Sequence, residues 1–330
     1  MNDVTKKNIL DIVYKYEDVI IIDVLNHLHR FMWVYNELQV NVDGMNILTG
    51  HLYGFMNLIG FLKNKFPKCS IILALDGYDE ERREINSSYK GNRESSEVNM
   101  SVGVQEVELL CSVFDGVYKV FDKKYEADDA MFSVSKKLER LCIKNGVKKN
   151  IYLLTNDKDL LQCAGGYITV IRKFGKGSGW FDDADKVNSY EDIQRFFPGV
   201  SAKNIAIYRA IIGDASDNLK GYYRFMKKNA AYISENVDVC DICLLEKESF
   251  DEKYKKFLNI INQDYKIFKN NYDIMSLKDF DFEILSVRGS LYQALEMAVN
   301  YKMKSFISNA LTLSPYREDV RDILKGVGAL

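Results

Sequence analysis

Nine carboxylates stand where apolar runs end or where helices begin: Asp23, Asp76, Glu126, Asp128, Asp129, Asp157, Asp159, Asp214 and Asp217. Asp23 follows Val19-Ile20-Ile21-Ile22, Asp76 follows Ile71-Ile72-Leu73-Ala74-Leu75, and Asp157 lies just beyond Ile151-Tyr152-Leu153-Leu154-Thr155. Such runs read as buried parallel strands. Open parallel sheets bind ligands beyond the carboxyl ends of their strands, so acids placed there converge on one cleft from distant parts of the chain. Convergence is costly, because two like charges about 4 Å apart repel by roughly 4 kcal/mol at an effective dielectric of about 20. Divalent cations relieve it. A surplus of oxygen donors suits hard ions such as Mg²⁺ or Mn²⁺, whereas zinc prefers histidine and cysteine.

The elements that must position these acids follow from periodicity. From about residue 17 to 172 strand runs alternate with helical stretches, the pattern of a mostly parallel α/β sheet flanked by helices. Leu48 to Phe66 reads as a helix with Leu52, Phe55, Leu58, Ile59 and Leu62 on its apolar face, stopped by Pro67. A second helix follows Glu126, with Met131, Val134, Leu138 and Leu141 on one face and Gly146 at its end. Its first turn holds Asp128 and Asp129, where the helix dipole favours carboxylates by about 0.3–1 kcal/mol each without any metal. After 187 the pattern turns helical, with helices expected near 189–197, 201–212 and 223–234 and longer ones beyond. Tyr254, Phe257, Leu258, Ile261, Tyr265 and Phe268 form one core-facing stripe. The division expected is therefore a metal-dependent domain over 1–186 and a helical one over 187–330. The polar stretch within 78–106 is too long and charged for a simple connection.

Bulk properties narrow the function classes. A chain of 330 residues with 47% hydrophobic and 28% charged residues can bury a sizeable core. A net charge of −2 argues against a protein coated in positive charge. Nine of the negative charges belong to the proposed ligands, so the remainder is net positive by seven and can face phosphate. The first fifteen residues lack a secretory apolar core, and no segment is long and apolar enough to span a bilayer, so a cytoplasmic protein without a membrane partner is expected. Six scattered cysteines form no disulfide framework, and Cys240-Asp-Ile-Cys243 has no second pair to complete a zinc site. His27 and His29 have no partners suited to base catalysis and read as polar or core residues.

Five motifs in order resemble the 5′-nuclease family of flap endonucleases, phage 5′-exonucleases and the 5′-nuclease domain of bacterial DNA polymerase I. They are Ile21-Ile22-Asp23; Leu75-Asp76-Gly77 leading to Tyr89-Lys90-Gly91-Asn92-Arg93; Tyr125-Glu126-Ala127-Asp128-Asp129; Thr155-Asn156-Asp157-Lys158-Asp159; and Gly213-Asp214-Ala215-Ser216-Asp217-Asn218. Together they cover about residues 18 to 220. The resemblance implies a two-metal phosphodiesterase using Mg²⁺, with Mn²⁺ substituting. Asp23, Asp76, Glu126 and Asp128 would surround one ion; Asp129, Asp157, Asp159, Asp214 and Asp217 would surround or support the other. Metal pairs lower the pKa of an attacking water and stabilise the leaving oxygen, so no protein nucleophile is needed. The resemblance also makes 78–106 a helical arch, gives Lys90 and Arg93 electrostatic contact with the phosphate being cut, and lets Tyr89 stack on an unpaired base. Arg82 and Arg83 are weaker nucleic-acid contacts. The implied partner is DNA with a 5′ flap or a 5′ end at a junction, or an RNA–DNA hybrid, handled by a monomer during replication.

Two departures stand out. Val24 replaces the family's glycine after the first Asp, leaving the ligand itself in place. The family's glycine-rich helix-hairpin-helix turn, whose amides hold a duplex phosphate and often K⁺, is here Arg224-Phe225-Met226-Lys227-Lys228-Asn229-Ala230. Side chains at 224 and 226 obstruct close approach of backbone to phosphate. Arg224, Lys227 and Lys228 then offer direct charge contacts instead, and the case for K⁺ weakens. Two other readings stay open: a non-catalytic junction-binding protein on the same fold, and a PIN-like ribonuclease.

Overall fold

The computed structural model describes residues 2–91, 100–173, 181–222, 225–236 and 252–330, with backbone alone for 252–254. Asn2 caps helix α1 (Asp3–Lys15), accepting the Thr5 N–H. The central sheet starts with β1 (Asp18–Asp23), which runs directly into α2 (Val24–Val34). A small hairpin, β2 (Gln39–Val42) and β3 (Met45–Leu48), leads to α3 (Gly50–Lys65). Then come β4 (Cys69–Ala74), α4 (Glu80–Ile85), α5 (Met100–Cys111), β5 (Val117–Val120), α6 (Ala127–Lys144) and β6 (Asn150–Leu154). A short 3₁₀ turn (Asp159–Cys163) precedes β7 (Ile168–Arg172) and β8 (Asp185–Val187).

Seven strands lie in the order β11-β5-β4-β1-β6-β7-β8. The inner five run parallel, with Ile21 opposite Ile72 on one side and Leu153 on the other, while the two edge strands are antiparallel. Order reverses at β1: the chain steps outward through β4 and β5, then returns to place β6 on the other flank. Such a switch point opens a crevice above the strand ends. Side-chain alternation divides the core in two. Val19 and Ile21 face α1 and α6, whereas Ile20 and Ile22 face α2, α3 and α5. The β1 residues from Val19 to Ile22 are fully buried, which explains their unbroken β-branched run.

Beyond the sheet, α7 (Tyr190–Gln194) and α8 (Ile205–Ile212) lead to a second small hairpin, β9 (Gly213–Asp214) and β10 (Leu219–Lys220). The helices α9 (Lys227–Asn236), α10 (Glu252–Gln263) and α11 (Tyr265–Met275) follow. The expected stripe through Phe268 is thus divided between two helices that break at Asp264, with Leu258, Ile261 and Phe268 buried. The region after 187 is mostly helical, with a few two- and three-residue strands among its helices. Strand β11 (Ile284–Ser286) pairs with β5 at the sheet edge, and three residues are too few to show alternation. Finally α12 (Leu291–Asn300), α13 (Lys304–Leu313) and α14 (Arg317–Gly326) pack onto α3 and α5, with Phe306 against Phe114. Both cores draw on residues from either side of position 186.

Cys69, Cys111, Cys142 and Cys163 are buried free thiols. Cys240 and Cys243 lie outside the described residues. Among those described, no helix is long and apolar enough to cross a membrane.

Candidate metal centre

Backbone geometry places the acids before any side chain is considered. Asp23 ends β1 and caps α2, its Oδ1 accepting the Asn26 N–H at 2.9 Å. Asp76 stands two residues past β4 and its Oδ1 accepts the Ala127 N–H at 3.0 Å, docking that strand end on the amino terminus of α6. Gly77 allows this turn, since a Cβ there would lie 2.1 Å from the Asp122 carbonyl oxygen. Beyond β6, Thr155 Oγ1 accepts the Asp157 N–H at 3.0 Å, and Asp157 Oδ1 accepts the Asp159 N–H at 2.8 Å. At the end of β9, Asp214 Oδ1 receives the Ser216 N–H at 2.8 Å and the Ser216 hydroxyl at 2.6 Å.

Two carboxylate groups result. In the first, Asp23, Asp76, Asp128 and Asp157 lie near enough to act on one another electrostatically. Burial, then the charges of Asp76 and Asp157, push the Asp23 carboxyl up to about 8. Burial, then Asp157, Asp23 and Asp76, raise Asp128 well above the usual range. The second group is Asp159, Asp214 and Asp217, which offer oxygens within 4.8 Å of one another. Burial and then Asp157 raise Asp159 to about 7, against the lowering effect of Arg209. Asp157 therefore faces both groups. Crowding of this kind is what a bound cation removes. The fit is specific in two places: Asp128 Oδ1 is buried with no hydrogen bond, and so is Asp159 Oδ1, whose 3.3 Å approach to Arg209 Nε lacks hydrogen-bond geometry. Donors that are oxygen alone fit a hard divalent ion.

Other proposed site residues are placed differently. Asp129 is fully buried, its Oδ1 bonded to Arg82 Nη2 and the Lys278 N–H and its Oδ2 to Arg82 Nη1, each at 2.8 Å. In this arrangement it anchors Arg82 and the start of the segment after Ser276. Arg82 is 2% exposed and also donates to Asp79, Glu126 and the Ile274 carbonyl, so it cannot lie against nucleic acid. Burial lowers its pKa, but Asp129 outweighs that and the group stays charged. Tyr89 is 4% exposed and its hydroxyl donates to Glu126 Oε2 at 3.1 Å, so its ring is not offered to a base. The base-stacking role is corrected on the same ground: the tyrosine packs with Leu219, Ile274 and Met275.

Glu126 Oε2 collects Lys90 Nζ at 2.7 Å, Tyr89 and Arg82. Burial raises its pKa, yet Lys90 and then Arg82 pull it below the usual range. Lys90 thus reaches the rim of the first group from a backbone at φ 54°. Arg83, Lys227 and Lys228 are exposed. Arg93 and Arg224 lie outside the described residues. His27 is fully buried, its Nδ1 2.8 Å from the Asp23 carbonyl oxygen, and burial lowers it to about 4. It supports the strand end as a core residue. Asp79 and Arg209 were not apparent from sequence. Asp79 caps α4 with Arg82 three residues on, a spacing that does signal a helical ion pair. Arg209 carries no such local signal.

The family profile described as "5′-3′ exonuclease, N-terminal resolvase-like domain" matches residues 18–191. The chain belongs to this family. This 5′-3′ exonuclease family member is 25% identical over 299 residues to a 5′-3′ exonuclease of Buchnera aphidicola subsp. Schizaphis graminum, covering 90% of this chain and 86% of that one. It is 27% identical over 222 residues to DNA polymerase I of Caldicellulosiruptor bescii, covering 66% of this chain but only 24% of the polymerase. Its fold is similar to that of bacteriophage T5 D15 flap endonuclease in a pseudo-enzyme-product complex with DNA and metal ions, with a TM-score of 0.56 at 16% identity over 93% of this chain and 99% of that one. The resemblance of the five ordered motifs and the expected α/β sheet both hold. The matched span carries the first group, Asp159 and Lys90, and stops before Asp214 and Asp217.

Proposed function

We propose that this protein is a structure-selective 5′-3′ exonuclease and flap endonuclease. It would hydrolyse phosphodiester bonds of DNA, and of RNA primers on DNA, with two Mg²⁺ or Mn²⁺ ions, acting as a monomer during replication. The supporting observation is the pairing of two oxygen-only carboxylate groups above the sheet's switch point, bridged by Asp157, in a member of the 5′-3′ exonuclease family. Asp23, Asp76, Glu126, Asp128 and Asp157 would hold one ion, and Asp159, Asp214 and Asp217 the other. Bound there, the ions would supply Lewis-acid polarisation of the phosphate and a more acidic attacking water.

The chain's own groups do the rest. Lys90, 2.7 Å from Glu126, presents a positive charge at the rim of the first group, where it can meet the phosphate's developing charge. Arg93 is assigned the same work. Asp157 faces both groups electrostatically and accepts the Asp159 N–H. Exposed Arg83, Lys227 and Lys228, with Arg224, are assigned to backbone phosphates of the duplex, which bind without sequence preference. Asp76 also borders a cleft of 740 Å³ walled by Leu25, Val104 and Phe121, with room for a nucleotide beside that one carboxylate.

The test is product mapping with Mg²⁺ on a 5′-flap, a nicked duplex, a blunt duplex and single-stranded RNA. Short 5′ products from the flap and nick are expected, and Asp157→Asn is expected to abolish them while keeping the fold. Full-rate cleavage by that variant, or tight junction binding with no cleavage even in Mn²⁺, would overturn the assignment.

A further inference from the structure

We propose that Arg209 is a built-in counter-charge that lowers the affinity of the second carboxylate group for its cation. The inference rests on the two-ion reading above. Arg209 sits in the last turn of α8, one turn before the β9 hairpin, and its side chain is only 15% exposed. Its Nη2 contacts Asp214 Oδ2 and its Nε stands 3.3 Å from Asp159 Oδ1. Two of the three acids that gather within 4.8 Å are therefore already engaged by a cation that belongs to the chain.

The charge arithmetic is simple. When all three carboxylates are ionised they carry −3, and the guanidinium reduces that to −2, with Asp157 adding negative charge from the side of the first group. A guanidinium cannot deprotonate in a protein, so the counter-charge is permanent at any working pH. An incoming ion must share or displace Arg209 at the very oxygens it needs. Asp159 Oδ1 remains without a hydrogen bond despite the ion pair, so an acceptor stays open to a better-placed cation. The second group is thus held together without metal and yet loads reversibly. In the first group Lys90 and Arg82 meet Glu126 Oε2, one acid of five, while Asp128 Oδ1 is buried and accepts no hydrogen bond. The two groups should accordingly differ in affinity, with the Asp159, Asp214 and Asp217 group the weaker.

The experiment counts Mn²⁺ bound to DNA-free protein by electron paramagnetic resonance of the free ion, with circular dichroism as a fold control. Wild type is expected to show a tight and a weak ion. In R209Q the weak class should tighten by at least about ten-fold, since a full positive charge has left the ion's immediate surroundings. R209A removes the same charge without adding a polar group and should do likewise, while R209K retains it and should remain near wild type. Two ions in every protein with the weak class unchanged or weakened in both R209Q and R209A would overturn the role given to Arg209. A single ion in every protein would instead remove the two-ion reading, and this inference with it.

Discussion

Arg82→Met should unfold this protein far more readily. The guanidinium spans Asp79 Oδ2 at 2.8 Å, Glu126 Oε2 at 3.1 Å, both oxygens of Asp129 at 2.8 Å and the Ile274 carbonyl at 2.9 Å. Methionine keeps the stem's packing and deletes the charge. Asp79 and Asp129 then remain as carboxylates whose side chains are 4% and 0% exposed. Removing one partner of a buried ion pair costs about 3–5 kcal/mol, chiefly because the other charge is stranded. Each stranded acid keeps one backbone donor, the Arg82 N–H for Asp79 and the Lys278 N–H for Asp129, which argues for the lower half of that range. The assay is urea unfolding in EDTA, followed by circular dichroism. With a slope of about 1–3 kcal/mol per molar, the midpoint should fall by about 1 M or more. The double variant R82M/D129N should lose less than the two single variants together, with a coupling of about 1–3 kcal/mol, because the neutral amide no longer needs the cation. Unchanged stability together with weakened DNA binding would refute the reasoning and return Arg82 to the surface.

Other outcomes follow from the same geometry. Asp23 and Asp159 have folded-state pKa values of about 8 and about 7, both above their unfolded values, so their contribution favours folding at low pH and is lost as pH rises through 7 to 8. Melting of EDTA-treated protein should therefore occur at lower temperature at pH 8.5 than at pH 6, and Mg²⁺ should restore more at pH 8.5; a rise in melting temperature with pH in EDTA would show that the acids are not crowded. Gly213→Ala should cost about 1–3 kcal/mol, because Gly213 sits at φ 79° and a Cβ would lie 2.3 Å from the Gly221 nitrogen. Its Mn²⁺ titration should lose the hairpin's ion class and retain the strand-end class. Lys90→Ala should lower single-turnover cleavage of a flap by about 10²–10³ while unfolding within about 1 kcal/mol of wild type, since Glu126 keeps Arg82 and Tyr89 as partners. Loss of the fold in that variant would make Lys90 a structural residue.

What the sequence made legible is what short-range rules govern. Strand runs buried on both faces are continuous and apolar, and acids at their ends are positioned by the backbone alone, so Asp23, Asp76 and Asp157 could be read from pattern. Asp214 and Asp217 could be read only through the family motif Gly213-Asp214-Ala215-Ser216-Asp217-Asn218, and the hairpin that bears them, with Gly213 at positive φ, was not legible. Arg82, Asp129 and Tyr89 could not be assigned the same way, because their burial depends on 274–278 closing over them from almost two hundred residues away. A polar arginine in a charged stretch looks alike whether it meets phosphate or a distant carboxylate.

One distinction was available and turns on helix geometry. Asp128 and Asp129 are adjacent in the first turn of α6, and successive residues of a helix point about 100° apart, so the two can meet different surroundings. The structure divides them accordingly: Asp128 turns to Asp23 and Asp157, while Asp129 turns inward to Arg82. The division serves the first. Arg82, clasped by Asp129, also holds Glu126, so the buried pair behind the helix fixes the Glu126 carboxylate in front of it. A site built from like charges has to be positioned by something other than its own ligands, which repel one another until a cation arrives. Here that support comes from an arginine and an aspartate that sequence alone would have spent on substrate and metal.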